Sequence, residues 1–277
     1  MLTKISPLKR KLITMSWISN IFKRNVNTST SGKEKKKEKI TNKSNEKQKQ
    51  LVSYGGELEP AIVTTNRYPD YYKDLYIILD NGHGEDTPGK RSPDGKFREY
   101  RYARMMVGMI ADKLEEMGIP YSILVPETND ISLQERVRRA NKIHNEQHKN
   151  GKVVILLSIH CNAAGRGEWK TARGWCAYTS RGTTESDTIA TCLYQAAHEI
   201  LDPKKIQIRK DTSDGDEDWE ANFYIIYKSS MPAVLTENFF QDNKQDVAYL
   251  ESEEGKQDIL SIHINGIKKY IELKLKR

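Results

Sequence analysis

The spacing of hydrophobic positions changes period several times along this chain. Residues 74–80, "DLYIILD", are a short β-rich apolar run closed by turn residues, which predicts a buried strand. Residues 102–118, "YARMMVGMIADKLEEMG", switch to apolar residues at helical spacing and stop at a glycine, predicting a helix. A strand is expected at 120–126, "PYSILVP", and then a helix from Ser132 to about Lys149. Residues 152–160, "KVVILLSIH", are almost wholly aliphatic, as suits a central strand covered on both faces. A strand over 173–180, a helix over 184–201, strands at 223–227 ("FYIIY") and 232–240 ("PAVLTENFF") and a helix over 254–274 complete the pattern. Strands alternating with helices predict an α/β fold: an open, mostly parallel twisted sheet of about six strands with helices on both faces. Sites in such sheets form beyond the carboxyl ends of the strands. His83, His160 and Glu237 each follow or end a predicted strand.

The first part of the chain breaks the pattern. Residues 29–50 are Lys-rich, polar and nearly without apolar positions, so they cannot bury enough surface to offset their ordering entropy and read as disordered. Within 9–24 an uncharged run, 12–22, has basic flanks and no small-residue cleavage site behind it. That is a poor secretory signal and a fair short amphipathic helix. Residues 51–73 read as an irregular linker, which places the folded body at 74–277.

Charge sharpens this division. The chain is +7 overall, but residues 1–50 hold 14 Lys/Arg against 3 Glu, so by difference the rest is mildly acidic. The basicity belongs to the tail, which could grip an anionic wall or membrane surface, and no base-reading motif accompanies it to suggest specific nucleic-acid binding. Three cysteines with no Cys-x-x-Cys pair read as ordinary buried thiols. A monomer is expected.

The candidate chemistry lies at the strand ends. His83 sits between Gly82 and Gly84, His160 ends an aliphatic strand, and Glu99 opens a helix, so an α/β fold can bring the three together. Three His, Asp or Glu ligands with an open fourth position are the pattern of a hydrolytic zinc site. The glycines would let the backbone turn beside a ligating imidazole where a Cβ would clash. The plain alternatives are a loop histidine and a hydrogen-bonded core histidine. Asn162, two residues past His160, could orient a ligand or hold substrate, or simply end its strand in a turn. Cys161 should point the other way. Arg209 and Lys210 could contact substrate carboxylates or be exposed charge. His144 and His148 have the helical spacing of a zinc pair in polar surroundings and read as a solvated face, while His198 and His263 have no partner motif.

Four ordered segments, "ILDNGHG", "DISLQERVRRAN", "LLSIHCNA" and "MPAVLTENFFQDN", with Glu99 opening the first long helix, resemble the zinc-dependent N-acetylmuramoyl-L-alanine amidases of the amidase_3 family. The likeness covers about residues 74–273. It implies a phosphorylase/hydrolase-like α/β fold, one zinc ion held by His83, Glu99 and His160, and Glu237 as catalytic acid/base. The implied reaction is hydrolysis of the amide between the lactyl group of N-acetylmuramic acid and L-alanine in peptidoglycan. The chain departs from the family at Glu85, at Pro126-Glu127, at Phe239 where a glycine is usual, in the loop "GKRSPDGKFR", and in the acidic insertion "DTSDGDEDWE". These departures touch substrate fit more than metal binding. Alternatives are a zinc peptidase acting on another amide, or a catalytically weak wall-binding protein. The weak leader points to a phage-type lysin made in the host cytoplasm or carried in a virion, with an exported bacterial enzyme as the alternative.

Overall fold

A computed structural model describes residues 68–276, and the expectations for residues 1–67 lie outside the described part. The described chain begins with a 3-10 turn, Asp70–Asp74, in the stretch expected to be irregular. Tyr72 is buried there and Tyr71 donates to Glu272. Six strands follow: β1 Leu75–Asn81, β2 Tyr121–Ile123, β3 Val153–Asn162, β4 Cys176–Thr179, β5 Trp219–Glu220 and β6 Ala233–Phe240. Six helices accompany them: α1 Glu99–Met117, α2 Leu133–Lys149, α3 Glu185–Leu201, α4 Tyr224–Lys228, α5 Lys244–Glu251 and α6 Glu253–Lys274.

The strands form one sheet in the order β2-β1-β3-β6-β4-β5. Every pairing is parallel except β4 with β6. The aliphatic runs of β1 and β3 take adjacent central places because their side chains need cover on both faces, and helices supply it. On one face α1, α3, α5 and α6 pack over Ile77, Leu79, Ile155, Leu157 and Val234. On the other, α2 and α4 cover Ile78, Leu156, Ala233 and Leu235. The helix ends carry ordinary stop and start signals. Gly118 closes α1 in the left-handed region (φ 71°), and the Ser132 side chain accepts from Glu135 N–H at the start of α2.

Three expectations change. The run "FYIIY" is not a strand but the five-residue helix α4, with Ile225 and Ile226 turned into the core and Tyr227 exposed. A short apolar run carries no periodicity that separates strand from helix. The sixth strand is instead β5, a two-residue edge inside the acidic insertion. The strand expected at 120–126 pairs over only three residues, whereas α1 opens at Glu99 as expected. No helix among the described residues is long and apolar enough to cross a membrane.

Candidate metal and catalytic site

The parallel register fixes the site. Asn81 pairs with Ile159 and His160 pairs with Glu237, so β1, β3 and β6 deliver their carboxyl ends to one place. Just past β1 the chain turns through Gly82, His83 and Gly84. The left-handed residue of this turn is His83 itself (φ 60°), not either glycine. The glycines serve close approach: a Cβ on Gly82 would run into the His160 imidazole, and one on Gly84 into the backbone of Asn129 and Asp130. A histidine at positive φ is strained, and two buried arginines hold it there. Arg104 Nη1 donates to the His83 carbonyl at 2.9 Å and Arg136 Nη2 does so at 3.2 Å. Arg136 also donates to Asp80 at 2.7 Å and to the Asn81 carbonyl at 2.9 Å.

Glu99, the first residue of α1, is 0% exposed and meets both histidines. Its Oε1 lies 3.1 Å from His160 Nδ1 and 3.4 Å from His83 Nε2, and the imidazoles cross edge to face. One donor atom from each of His83, Glu99 and His160 falls within 4.8 Å of the others, a group that could hold a metal ion. The remaining valences of Glu99 are occupied: Oε1 accepts from Cys161 N–H at 3.0 Å and Oε2 from Gln241 Nε2 at 2.9 Å. Burial pushes the Glu99 carboxyl up, but the imidazoles outweigh it and hold the group well below the usual carboxylate range. Burial lowers His83. It also works against the charged form of His160, where Glu99 prevails and raises the pKa.

Glu237, opposite His160 on β6, is another acid at this end of the sheet. Its Oε2 is buried without a hydrogen-bond partner. Burial pushes its carboxyl up to about 7, with Glu99 adding to the rise and His160, Lys90 and Arg209 opposing it. The guanidinium of Arg209 stacks over Trp219 at 5.0 Å and Phe240 at 5.1 Å, so this residue is half-buried rather than free surface charge. Lys210 turns instead to Glu217. Asn162 accepts from Ala163 N–H at 2.8 Å and points its amide toward Cys176, next to the same strand end. Cys161 faces the core as expected. His144 and His148 stack together on α2, His198 joins Asp202 and Glu217, and His263 is buried between Thr236 and the Ile259 carbonyl, all apart from the triad.

Gln241 was not singled out by sequence. Strict alternation along β6 would put Glu237, Phe239 and Gln241 on one face. Phe239, at φ 64° and fully buried against Tyr249, breaks that alternation, and Gln241 comes back to Glu99. The glycine usual in the resembled family at this position would occupy that region without strain.

A family model described as Amidase_3, N-acetylmuramoyl-L-alanine amidase, matches residues 77–269. The chain is 28% identical over 206 residues to an endolysin of Bacillus phage SPP1, covering 72% of this chain and 67% of that protein. It is equally 28% identical to the sporulation-specific N-acetylmuramoyl-L-alanine amidase of Bacillus subtilis (strain 168), over 72% and 69% of the two chains. Among solved structures, the N-acetylmuramoyl-L-alanine amidase from Clostridium difficile 630 superposes with a TM-score of 0.61 at 22% identity, covering 73% of this chain and 99% of that one. That last likeness concerns the fold.

Proposed function

The chain belongs to the Amidase_3 family of N-acetylmuramoyl-L-alanine amidases, and from that premise we propose that it cuts peptidoglycan with one zinc ion held by His83, Glu99 and His160 and with Glu237 moving the protons. The reaction is hydrolysis of the amide between the lactyl group of N-acetylmuramic acid and L-alanine.

The donor set fits zinc. Two imidazole nitrogens and one carboxylate oxygen are borderline ligands of the kind zinc takes, and bonds of about 2.0–2.1 Å in a tetrahedral arrangement separate neighbouring ligand atoms by roughly 3.3 Å. The Glu99 contacts to the two histidines, 3.1 and 3.4 Å, are of that size. When bound, zinc supplies a Lewis acid that polarises the scissile carbonyl and brings the pKa of water toward about 7. Glu99 is fixed by Cys161 N–H and Gln241, so its lone pairs are aimed before any ion arrives.

Glu237 suits proton transfer because its carboxyl titrates at about 7 and one buried oxygen has no partner to compete with water or substrate. It would take a proton from the attacking water and return it to the departing amine of L-alanine. Arg209, held by two aromatic faces on the Glu237 side, is suited to a carboxylate of the stem peptide, and Asn162 to a polar group of substrate near His160. The single observation that carries the reading is the triad facing an unpaired carboxylate one strand away.

Mass spectrometry of purified peptidoglycan after incubation tests it. Free lactyl carboxylates and new L-alanine amino termini are expected. New termini within the stem peptide instead would mark a peptidase. As a wall-acting enzyme related to a phage endolysin, the protein suits the role of a phage-type lysin.

A further inference from the structure

We propose that Arg209 reads the second residue of the stem peptide, so that the site favours stems in which that residue keeps a free carboxylate over stems in which it is amidated. This role for Arg209 rests on the amidase reading and gives it a substrate class. Strand register sets the place of the side chain. Cys176, at the start of β4, lies opposite Glu237 on β6, and Arg209 N–H donates to the carbonyl of Trp175, the residue before Cys176, at 2.8 Å. Side chains two residues apart on a strand share a face, so Cys176, Tyr178, Leu235 and Glu237 line the face that His160 and Asn162 also line. Beyond Glu237 the pairing slips, and Phe240 comes opposite Asn162. The Arg209 guanidinium lies over these strand ends, 5.1 Å from the centre of the Phe240 ring and 5.0 Å from that of Trp219, which pairs with Tyr178.

Among the described residues Arg209 makes no ion pair, and the Cys176 thiol beside it is a weak acceptor. The neighbouring acids are turned elsewhere: Glu217 binds Lys210 and His198, and Asp218 accepts from Thr179. Two aromatic faces hold the side chain and shield it from water, which pre-organises its fork of N–H donors for a planar acceptor with two oxygens. A carboxylate fills that fork, whereas a carboxamide offers one oxygen and turns N–H donors against the cation. Distance selects which carboxylate. Neighbouring strands are about 4.8 Å apart, so an anchor beside β4 lies roughly 5–10 Å from Glu237. In the stem peptide, L-alanine is followed by a glutamate joined through its side chain, whose α-carboxyl is either free or amidated. Two extended residues span about 7 Å, so with the L-alanine nitrogen at Glu237 that carboxyl reaches Arg209, and the carboxyls of later residues lie farther on.

The test gives the zinc-loaded full chain two soluble muramyl tetrapeptides that differ only in whether the second residue carries the carboxylate or its carboxamide. Wild type is expected to show a kcat/KM about 10–100-fold higher for the carboxylate, the usual contribution of a hydrogen bond to a charged group, with most of the difference in KM. Arg209→Gln should erase the preference, and Arg209→Lys should keep part of it, since an ammonium has the charge without the fork. Lys210→Gln, on the neighbouring residue bound to Glu217, should discriminate as wild type does. The wild-type comparison needs no variant, so it decides the question even if Arg209→Gln fails to fold. Equal use of both substrates at the lactyl–alanine bond would overturn this role for Arg209 alone, as would an Arg209→Gln enzyme that still prefers the carboxylate. Loss of discrimination in Lys210→Gln would reduce the effect to general positive charge and overturn it too. Cutting at a different bond, or at none, would overturn the amidase reading and this role with it.

Discussion

Burial acts on Glu99 and Glu237 alike, yet their protonation diverges because only Glu99 has partners. Two imidazoles, a backbone N–H and an amide keep Glu99 ionised, while Glu237 is left with an unpaired oxygen and a carboxyl near 7. Glu237→Gln should keep its zinc and lower turnover on peptidoglycan about 10²–10⁴-fold, the usual contribution of a positioned acid/base. A variant that lost zinc would make Glu237 a ligand. The same substitution has a pH signature in the metal-free protein. The folded carboxyl titrates at about 7 against an ordinary value of 4.5, so the folded form holds its proton more tightly, and wild type loses stability as pH rises through that window. Glutamine cannot lose a proton. Thermal unfolding of metal-free Glu237→Gln should therefore gain on wild type from pH 4.5 to about 7 and hold the gain above; parallel profiles would remove the argument. Gln241 acts on the proposed metal site through Glu99. Gln241→Ala frees Glu99 Oε2 and should weaken zinc affinity roughly 10–100-fold, measured by competition with a chelating dye, with the circular dichroism spectrum unchanged.

At the scale of elements, α2 is tied to the site through Arg136. Its guanidinium joins the Asp80 carboxylate at the end of β1 to the carbonyls of Asn81 and His83, so one side chain from α2 holds the strained turn that presents the imidazole. Arg136→Met would leave Asp80 buried with Ser158 as its remaining side-chain hydrogen-bond partner. A loss of about 3–5 kcal/mol is expected by denaturant unfolding, as for breaking a buried pair from one side. Lysine should not restore it, because an ammonium cannot span carboxylate and carbonyls in one plane. Arg136 lies in the segment "DISLQERVRRAN", and its text was visible in the sequence while its reason was not. β1, β3 and β6 were legible because their apolar runs are long and end in the residues that form the site. α4 and β5 were not: five apolar residues have no resolvable period, and a two-residue edge is defined by what β4 offers it. Gln241 escaped because it lies one residue past the end of β6, and only the fold brings it to Glu99, far away in sequence.

At the scale of the whole molecule, the net positive charge and the candidate site belong to different parts of the chain. The compact unit Thr65–Arg277 contains the triad, Glu237 and the whole sheet, whereas the net positive charge comes from residues 1–50. The boundary of the body lies slightly earlier than the apolar pattern suggested, because Tyr68, Tyr71 and Tyr72 already pack on the core. Removing residues 1–50 takes away a net of +11 and none of these contacts. The shortened protein should fold, with Tm within a few degrees of the full chain, and should cut soluble muropeptides at an unchanged rate. Its affinity for anionic vesicles or intact wall should fall at low ionic strength. The gap between the two proteins should close as salt is raised, since exposed charges separated by more than about 10 Å are screened at 0.1 M. A difference that persisted at high salt would assign the tail an apolar contact with the surface rather than a coulombic one. A truncated chain that failed to fold would extend the structural core into residues 1–50, and wall affinity would then depend on the folded body.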